Sequence, residues 1–349
     1  MRTLWDGFWL HDGPTSNRTV LIEQVRAWAR AFPDDEVVML VPKRTAMRPQ
    51  ELGNNVSFLY SRLTRHPLIN FIGLPLAQIR RKYDAVITHN FASPGRRSWV
   101  FVHDVLFQSN PNWFTFLERR YLWLSSASLR LATGVFTSSE TEKIRIEKYN
   151  EGVDVYAVGL GLSSDLALAS PMRPRFELLP GSFMLSVGRL NVRKNLGLTI
   201  KGALASGLLS AAHPLVVVGE ASGKSTQLNE SIRTAQAEGS LVFSGFVSTA
   251  ELRWLYENCA QMVFLSLDEG FGLPPLEALA FGAPVLASDR PVFHETLGDR
   301  ATFVDPLDPQ AIAAAVRSIS RSPRGVPVTG RQWPEVVIAM RERVLASVK

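Results

Sequence analysis

The chain has 349 residues, of which 46% are hydrophobic, and a formal net charge of +6; that length suits two domains of ordinary size, each with a full apolar core. A single cysteine, Cys259, excludes an intramolecular disulfide and a zinc cluster, and no apolar run approaches the roughly 18 residues of a transmembrane helix. Residues 1–13 include Trp5, Asp6, His11 and Asp12 where a signal peptide needs an unbroken apolar stretch, so the expected location is cytoplasmic.

In chain order, short apolar and partly β-branched runs predict strands over 37–41, 56–60, 85–88, 99–102, 134–137 and 153–158, with helices near 19–31 and 116–131. Residues 163–181 are rich in Ser, Pro and Leu without periodicity and are expected to link domains 1–162 and 182–328. The second domain repeats the alternation, with strands over 183–187, 215–218, 241–244, 262–265, 284–287 and 302–304 and helices near 196–205, 249–259, 274–281 and 309–318. An amphipathic helix over 334–348 lies in the 329–349 tail. Strand-helix alternation twice over predicts an α/β fold of two doubly wound, Rossmann-like domains.

The densest chemistry follows the 262–265 strand. There Asp268-Glu269-Gly270-Phe271-Gly272-Leu273-Pro274-Pro275-Leu276-Glu277 sets Glu269 at a strand's carboxyl end and Glu277 about one turn into a helix whose start the two prolines suit. The amides of Phe271, Gly272 and Leu273 are then free to face an anion, and a carboxylate beside them is placed to hold vicinal hydroxyls. Together they describe a nucleotide-sugar pocket; a tight turn with two solvated glutamates is the plainer alternative. After the 183–187 strand, the loop 188–195 carries Arg189, Arg193 and Lys194, cations that suit a diphosphate. Arg189 and Lys194 are the candidates, and Arg193 is expected to turn elsewhere, because one loop seldom aims three cations at one ligand. No Asp-x-Asp occurs, so neither a metal nor any other cofactor is expected.

Gly219-Glu220-Ala221-Ser222-Gly223-Lys224-Ser225 is one residue short of a phosphate loop and is read as a turn. In the first half, His103-Asp104 follows a strand; Asp104 suits holding the imidazole tautomer while His103 bonds a sugar hydroxyl, with a packing role as the alternative for His103. Ser138-Ser139-Glu140 suits a helix N-cap. Asp12-Gly13-Pro14-Thr15-Ser16 suits either a plain turn or a phosphate-facing loop before the first helix.

Residues 1–160 carry +5 of the charge and the remainder +1. Arg119-Arg120, set among Phe114, Phe116, Tyr121 and Trp123, fits an anionic membrane surface, or else a solvated basic face above packed aromatics. No nucleic-acid-binding motif accompanies the charge.

The order Gly188-Arg189 with Lys194, Gly245-Phe246-Val247, and Glu269 and Glu277 eight residues apart, with His103-Asp104 and Thr137-Ser138-Ser139 upstream, resembles the family 4 retaining glycosyltransferases of GT-B fold. The resemblance runs from about Ser16 to the terminal helix, which Trp333 precedes. It implies two Rossmann-like domains about a cleft, with the last helix crossing back to the first domain. It also implies metal-independent transfer of a hexosyl group, mannose- or rhamnose-like, from a nucleotide diphosphate sugar to a glycan or lipid-linked acceptor in cell-envelope polysaccharide synthesis. Arg189 and Lys194 would meet the diphosphate, Glu277 the ribose, Glu269 the donor sugar, Val247 the base through its backbone, and His103 the sugar near the reacting carbon. The family's usual glycine pair in the first loop is Gly13-Pro14 here, and proline offers no amide, which leaves Gly13 as the contact. Two other classes stay open: a nucleotide-sugar epimerase or hydrolase of the same fold, and a non-catalytic nucleotide-sugar-binding protein.

Overall fold

A computed structural model describes residues 1–11, 15–220, 230–328 and 330–348. The chain forms two compact units, one of residues 1–109, 116–163 and 331–349, the other of residues 110–115 and 164–330.

The N-terminal unit is built on seven parallel strands in the order β3-β2-β1-β4-β5-β6-β7. They are β1 Arg2–Asp6, β2 Glu36–Pro42, β3 Val56–Ser61, β4 Ala85–His89, β5 Ser98–Val102, β6 Gly134–Thr137 and β7 Val155–Ala157. Strands β4, β5 and β6 are buried along their whole length, which is why they read as mainly apolar runs, with Thr88, His89, Ser98 and Thr137 buried among them. β1 is an addition to the sequence reading: Arg2-Thr3-Leu4-Trp5-Asp6 has two apolar residues, too few for a periodic signal, yet it pairs with β2 and β4 at the centre of the sheet. Its Leu4 and Trp5 are fully buried, and Trp5 Nε1 donates to Thr3 Oγ1 at 2.9 Å, so the indole N–H is satisfied inside the core. The first helix, Thr15–Ala31, starts four residues before the expected 19. The terminal helix Trp333–Val348 packs against it, and Arg341 makes a two-pronged bond to buried Asp35 at 2.8 and 2.9 Å.

The second unit holds six parallel strands in the order β10-β9-β8-β11-β12-β13: β8 Met184–Val187, β9 Leu215–Val218, β10 Leu241–Gly245, β11 Gln261–Phe264, β12 Val285–Ser288 and β13 Thr302–Val304. Ile200, Leu215, Val263, Leu286, Ile312 and Val316 belong to one core cluster beside this sheet. The segment expected as a linker folds into this unit from Ser164 onward. Its short helix Ser164–Leu168 buries Leu166, and the Met172 amide donates to Ala250 O at 3.0 Å. In each sheet the strand order reverses once, between β1 and β4 and between β8 and β11, and the carboxyl ends at such a reversal are where α/β sheets place ligands.

Candidate functional site

At the second reversal, β8 runs into Gly188, and the backbone of Gly219 crosses so close that a Cβ there would meet Gly188 O at 2.1 Å. Asn191 then caps a 3₁₀ turn, Val192–Lys194, its Oδ1 accepting the Lys194 amide at 3.2 Å. Asn195 follows in the left-handed region at φ 53°, held by its side-chain amide on Pro306 O at 2.7 Å. The turn brings Arg193 and Lys194 together onto the carboxylate that follows β11. Lys194 Nζ lies 2.5 Å from Glu269 Oε1, and an Arg193 guanidinium nitrogen lies 3.0 Å from Oε2. Lys194 also sits over the Phe264 ring, 4.5 Å from its centroid.

Burial pushes the Glu269 carboxyl up, but the Arg193 and Lys194 cations outweigh it and hold the group below its ordinary range. Burial draws Lys194 down despite Glu269. Arg193, expected to turn elsewhere, therefore faces Glu269, because a three-residue turn puts consecutive side chains on one rim. Arg189 is exposed and lines the adjoining hollow with Gly188, Lys194, Phe264 and Ser266.

Glu277 is set by the next turn. Gly272 adopts φ 89° with Phe293 so near that a Cβ would meet its ring at 2.6 Å, and the helix Leu273–Ala280 starts one residue before the expected proline. The amides at that start have no intrahelical acceptor, as at any helix N-terminus. From the helix Thr249–Asn258, Tyr256 reaches across and donates its hydroxyl to Glu277 Oε2 at 2.9 Å. Burial pushes the Glu277 carboxyl up to about 6 against that bond. Tyr256 is a residue the sequence reading missed, 21 positions from its partner. Phe271 and Val247 are both half-buried; Val247 precedes Ser248, whose hydroxyl and Glu251 form a capping box on the Thr249 helix.

His103 belongs to the N-terminal unit, just past β5, half-buried with its ring 5.7 Å from that of His89 and 5.1 Å from that of Phe101. Burial pushes its imidazole down to about 4 against the pull of Asp104, so it is neutral at pH 7. Asp104 accepts the Leu106 amide at 3.3 Å. Ser139 caps the helix Glu140–Tyr149 as read, accepting the Glu142 amide at 3.0 Å. Glu142, also missed, is fully buried and accepts the Val105 amide at 2.7 Å, fixing the loop that carries His103. The signal for it was the Ser139-x-x-Glu142 spacing, which suggests a capping box; the carboxylate turns instead to the neighbouring strand end. Gly13 lies outside the described residues, as does the near-phosphate loop from Ala221 onward.

Arg189, Arg193, Lys194, Glu269 and Glu277 belong to the second unit, and His103 to the first.

Residues 176–327 match the family model described as glycosyl transferases group 1. The chain is 30% identical over 241 residues to the O-antigen chain mannosyltransferase RfbU of Salmonella typhimurium, an alignment spanning 68% of this chain and 65% of that one. The sucrose-phosphate synthase of Thermosynechococcus elongatus superposes with a TM-score of 0.64 at 19% identity, covering 100% of this chain and 95% of its own. HepE of Anabaena, in complex with UDP and glucose, gives 0.64 at 15% identity, covering 99% and 100%. At such identities the two structures are likenesses of fold, and the fold they share is the pair of Rossmann-like domains. The matched segment contains the whole basic loop and both glutamates, and over it the chain is similar to the glycosyl transferases group 1.

Proposed function

We propose that this protein transfers a hexosyl group, mannosyl as the first choice, from a nucleotide diphosphate sugar to a glycan acceptor in polysaccharide synthesis, with retention and without a metal. The observation that carries it is the meeting of Arg193, Lys194 and Glu269 at the β8/β11 reversal, with Glu277 in the next helix. Two cations beside unpaired helix amides suit a departing diphosphate, whose growing charge they stabilise. Glu277 suits the ribose hydroxyls. Glu269, clasped by both cations, is a weak base and a weak nucleophile, which favours same-face transfer assisted by the leaving phosphate over a covalent glycosyl-enzyme. The mannosyl choice rests on the name of the Salmonella relative, and the uridine nucleotide in HepE supports a nucleotide-sugar donor.

The test is a panel of nucleotide sugars scored by melting temperature, followed by turnover of whichever one stabilises the protein, with and without a mannoside acceptor. A donor consumed only when acceptor is present supports transfer. Equal consumption without acceptor points to hydrolysis or epimerisation, and binding with no turnover points to a non-catalytic role.

A lipid-linked acceptor at an anionic membrane surface is the finer reading. On the helix Phe116–Ser128, Phe116, Leu117 and Trp123 are 63%, 77% and 65% exposed, interleaved with exposed Arg119 and Arg120. These aromatics do not pack in the core, and such a face suits the headgroup boundary. Tyr121 is not part of it, since its hydroxyl turns inward to His66. Among the described residues no helix is long and apolar enough to cross a membrane.

A further inference from the structure

The loop that carries Glu269, residues 265–272, joins β11 to the helix Leu273–Ala280 and has no regular structure of its own. Its glutamate is nonetheless buried, with both carboxylate oxygens on cations of another loop. Such a meeting needs the backbone ahead of Glu269 to be held, and three bonds hold it. Ser288 Oγ, at the end of β12, donates to Ser266 O at 2.6 Å. The Leu267 amide donates to Arg193 O at 2.8 Å, which ties this loop to the turn whose side chains meet Glu269. Arg290 Nε, also from the far side of β12, donates to Leu267 O at 3.1 Å.

Arg290 is the long-range tie among the three, and it is built to be stiff. Its backbone caps the helix Pro291–Leu297, its carbonyl accepting the Phe293 amide at 3.0 Å. From that fixed base the guanidinium spreads over three partners: Nε on Leu267 O, Nη1 on Asp289 O at 2.7 Å, and Nη2 at 3.9 Å from Asp305 Oδ1. A planar fork with donors in set directions passes the position of the β12 end on to the Leu267 carbonyl, and a charge-assisted bond makes that link strong. The cations that hold the Glu269 carboxyl low are Arg193 and Lys194. Arg290 reaches Glu269 through two residues of backbone instead, by geometry and not by contact.

We propose that Arg290 is a positioning residue for the donor sugar: by fixing Leu267 O it sets where Glu269 stands against the sugar. The inference rests on the glycosyl-transfer reading. GDP-mannose and GDP, with UDP-glucose and UDP as a second pair, are titrated by calorimetry into wild type, Arg290→Met, Glu269→Gln and the double variant. The ratio of nucleotide-sugar to nucleoside diphosphate affinity isolates what the sugar contributes. Arg290→Met keeps the stem and removes the donors. It is expected to lower that ratio about tenfold, the worth of one charge-assisted hydrogen bond, with nucleoside diphosphate affinity unchanged. Arg290→Lys keeps the charge and one donor, and is expected to recover part of the loss; it replaces Arg290→Met in the cycle should that variant not fold. In the Glu269→Gln background the Arg290 change is expected to lower the ratio no further, because residues that act through one another do not add. An unchanged ratio, an equal loss for nucleotide and nucleotide sugar, or the same loss in both backgrounds marks a merely structural arginine and overturns the proposal, and glycosyl transfer stands. Failure of the wild type to bind any nucleoside diphosphate overturns the transfer reading itself, and the proposal with it.

Discussion

Tyr256 donates its hydroxyl to Glu277 Oε2 at 2.9 Å from a ring wholly shut off from solvent, and so fixes the orientation of the one glutamate suited to a ribose. The bond is directional, and it draws Glu277 toward its ionised form while burial pushes the other way. The balance, about 6, puts the protonation of this carboxyl within reach of ordinary assays.

The first prediction follows from the direction of that shift. With a folded value of about 6 above the ordinary carboxyl value of 4.5, the fold favours the protonated acid. The stability it confers is complete below pH 4.5 and lost as pH rises through 6. At neutral pH the ionised group costs about 2 kcal/mol, so Glu277→Gln should raise the melting temperature of the free protein while weakening nucleoside diphosphate binding by about 1.5–3 kcal/mol. Wild-type affinity should fall as pH drops through 6, Tyr256→Phe should move that step to higher pH, and Glu277→Gln should abolish it. Calorimetry across pH 5–8 measures all three, and a flat wild-type profile contradicts the assignment.

Glu269 gives a second prediction. Glu269→Gln removes the negative charge that Lys194 and Arg193 share in the free protein and so increases the repulsion between the two neighbouring cations. The free protein should lose melting temperature. Nucleoside diphosphate affinity should hold or rise, because the ligand becomes the counter-anion, while sugar transfer is lost. Weaker nucleotide binding in this variant would mean that the two cations do not face the diphosphate.

Chelation is the third. With charge neutralisation assigned to Arg193, Lys194 and the amides before Glu277, EDTA should leave most transfer activity in place. Complete loss, restored by magnesium or manganese, would show that a metal carries the diphosphate.

The fourth concerns the Phe116–Ser128 helix. Sedimentation with anionic vesicles should capture the protein at low salt, release it as screening increases, and capture less of an Arg119→Glu/Arg120→Glu variant. Wild type left in the supernatant at low salt favours a soluble glycan acceptor.

Much of the architecture was legible in the residue order. Parallel strands covered on both faces are mainly apolar, so β4, β5, β9 and β11 announce themselves as runs, and the Gly272-Leu273-Pro274-Pro275 turn is a local consequence of backbone chemistry. Local capping was equally readable, as Ser139 shows. β1 escaped because its central place depends on pairing with β2 and β4 and not on its own two apolar side chains. The 163–181 stretch escaped for a related reason: its buried Leu166 and Leu178 alternate with exposed Leu168 and Leu179 without a period.

What the residue order by itself determined was the chemistry available at each strand end: cations after β8, a glutamate after β11, another inside the next helix, a histidine after β5. Tertiary structure alone decided the partners. Lys194 meets Glu269 across 75 positions, Tyr256 meets Glu277 across 21, and His66 bridges Asp6 and Tyr121 across 60 and 55. Such pairs follow no helical or strand period, because the fold packs strand ends and helices in a spatial order, such as β1-β4 and β8-β11, that the chain itself does not follow.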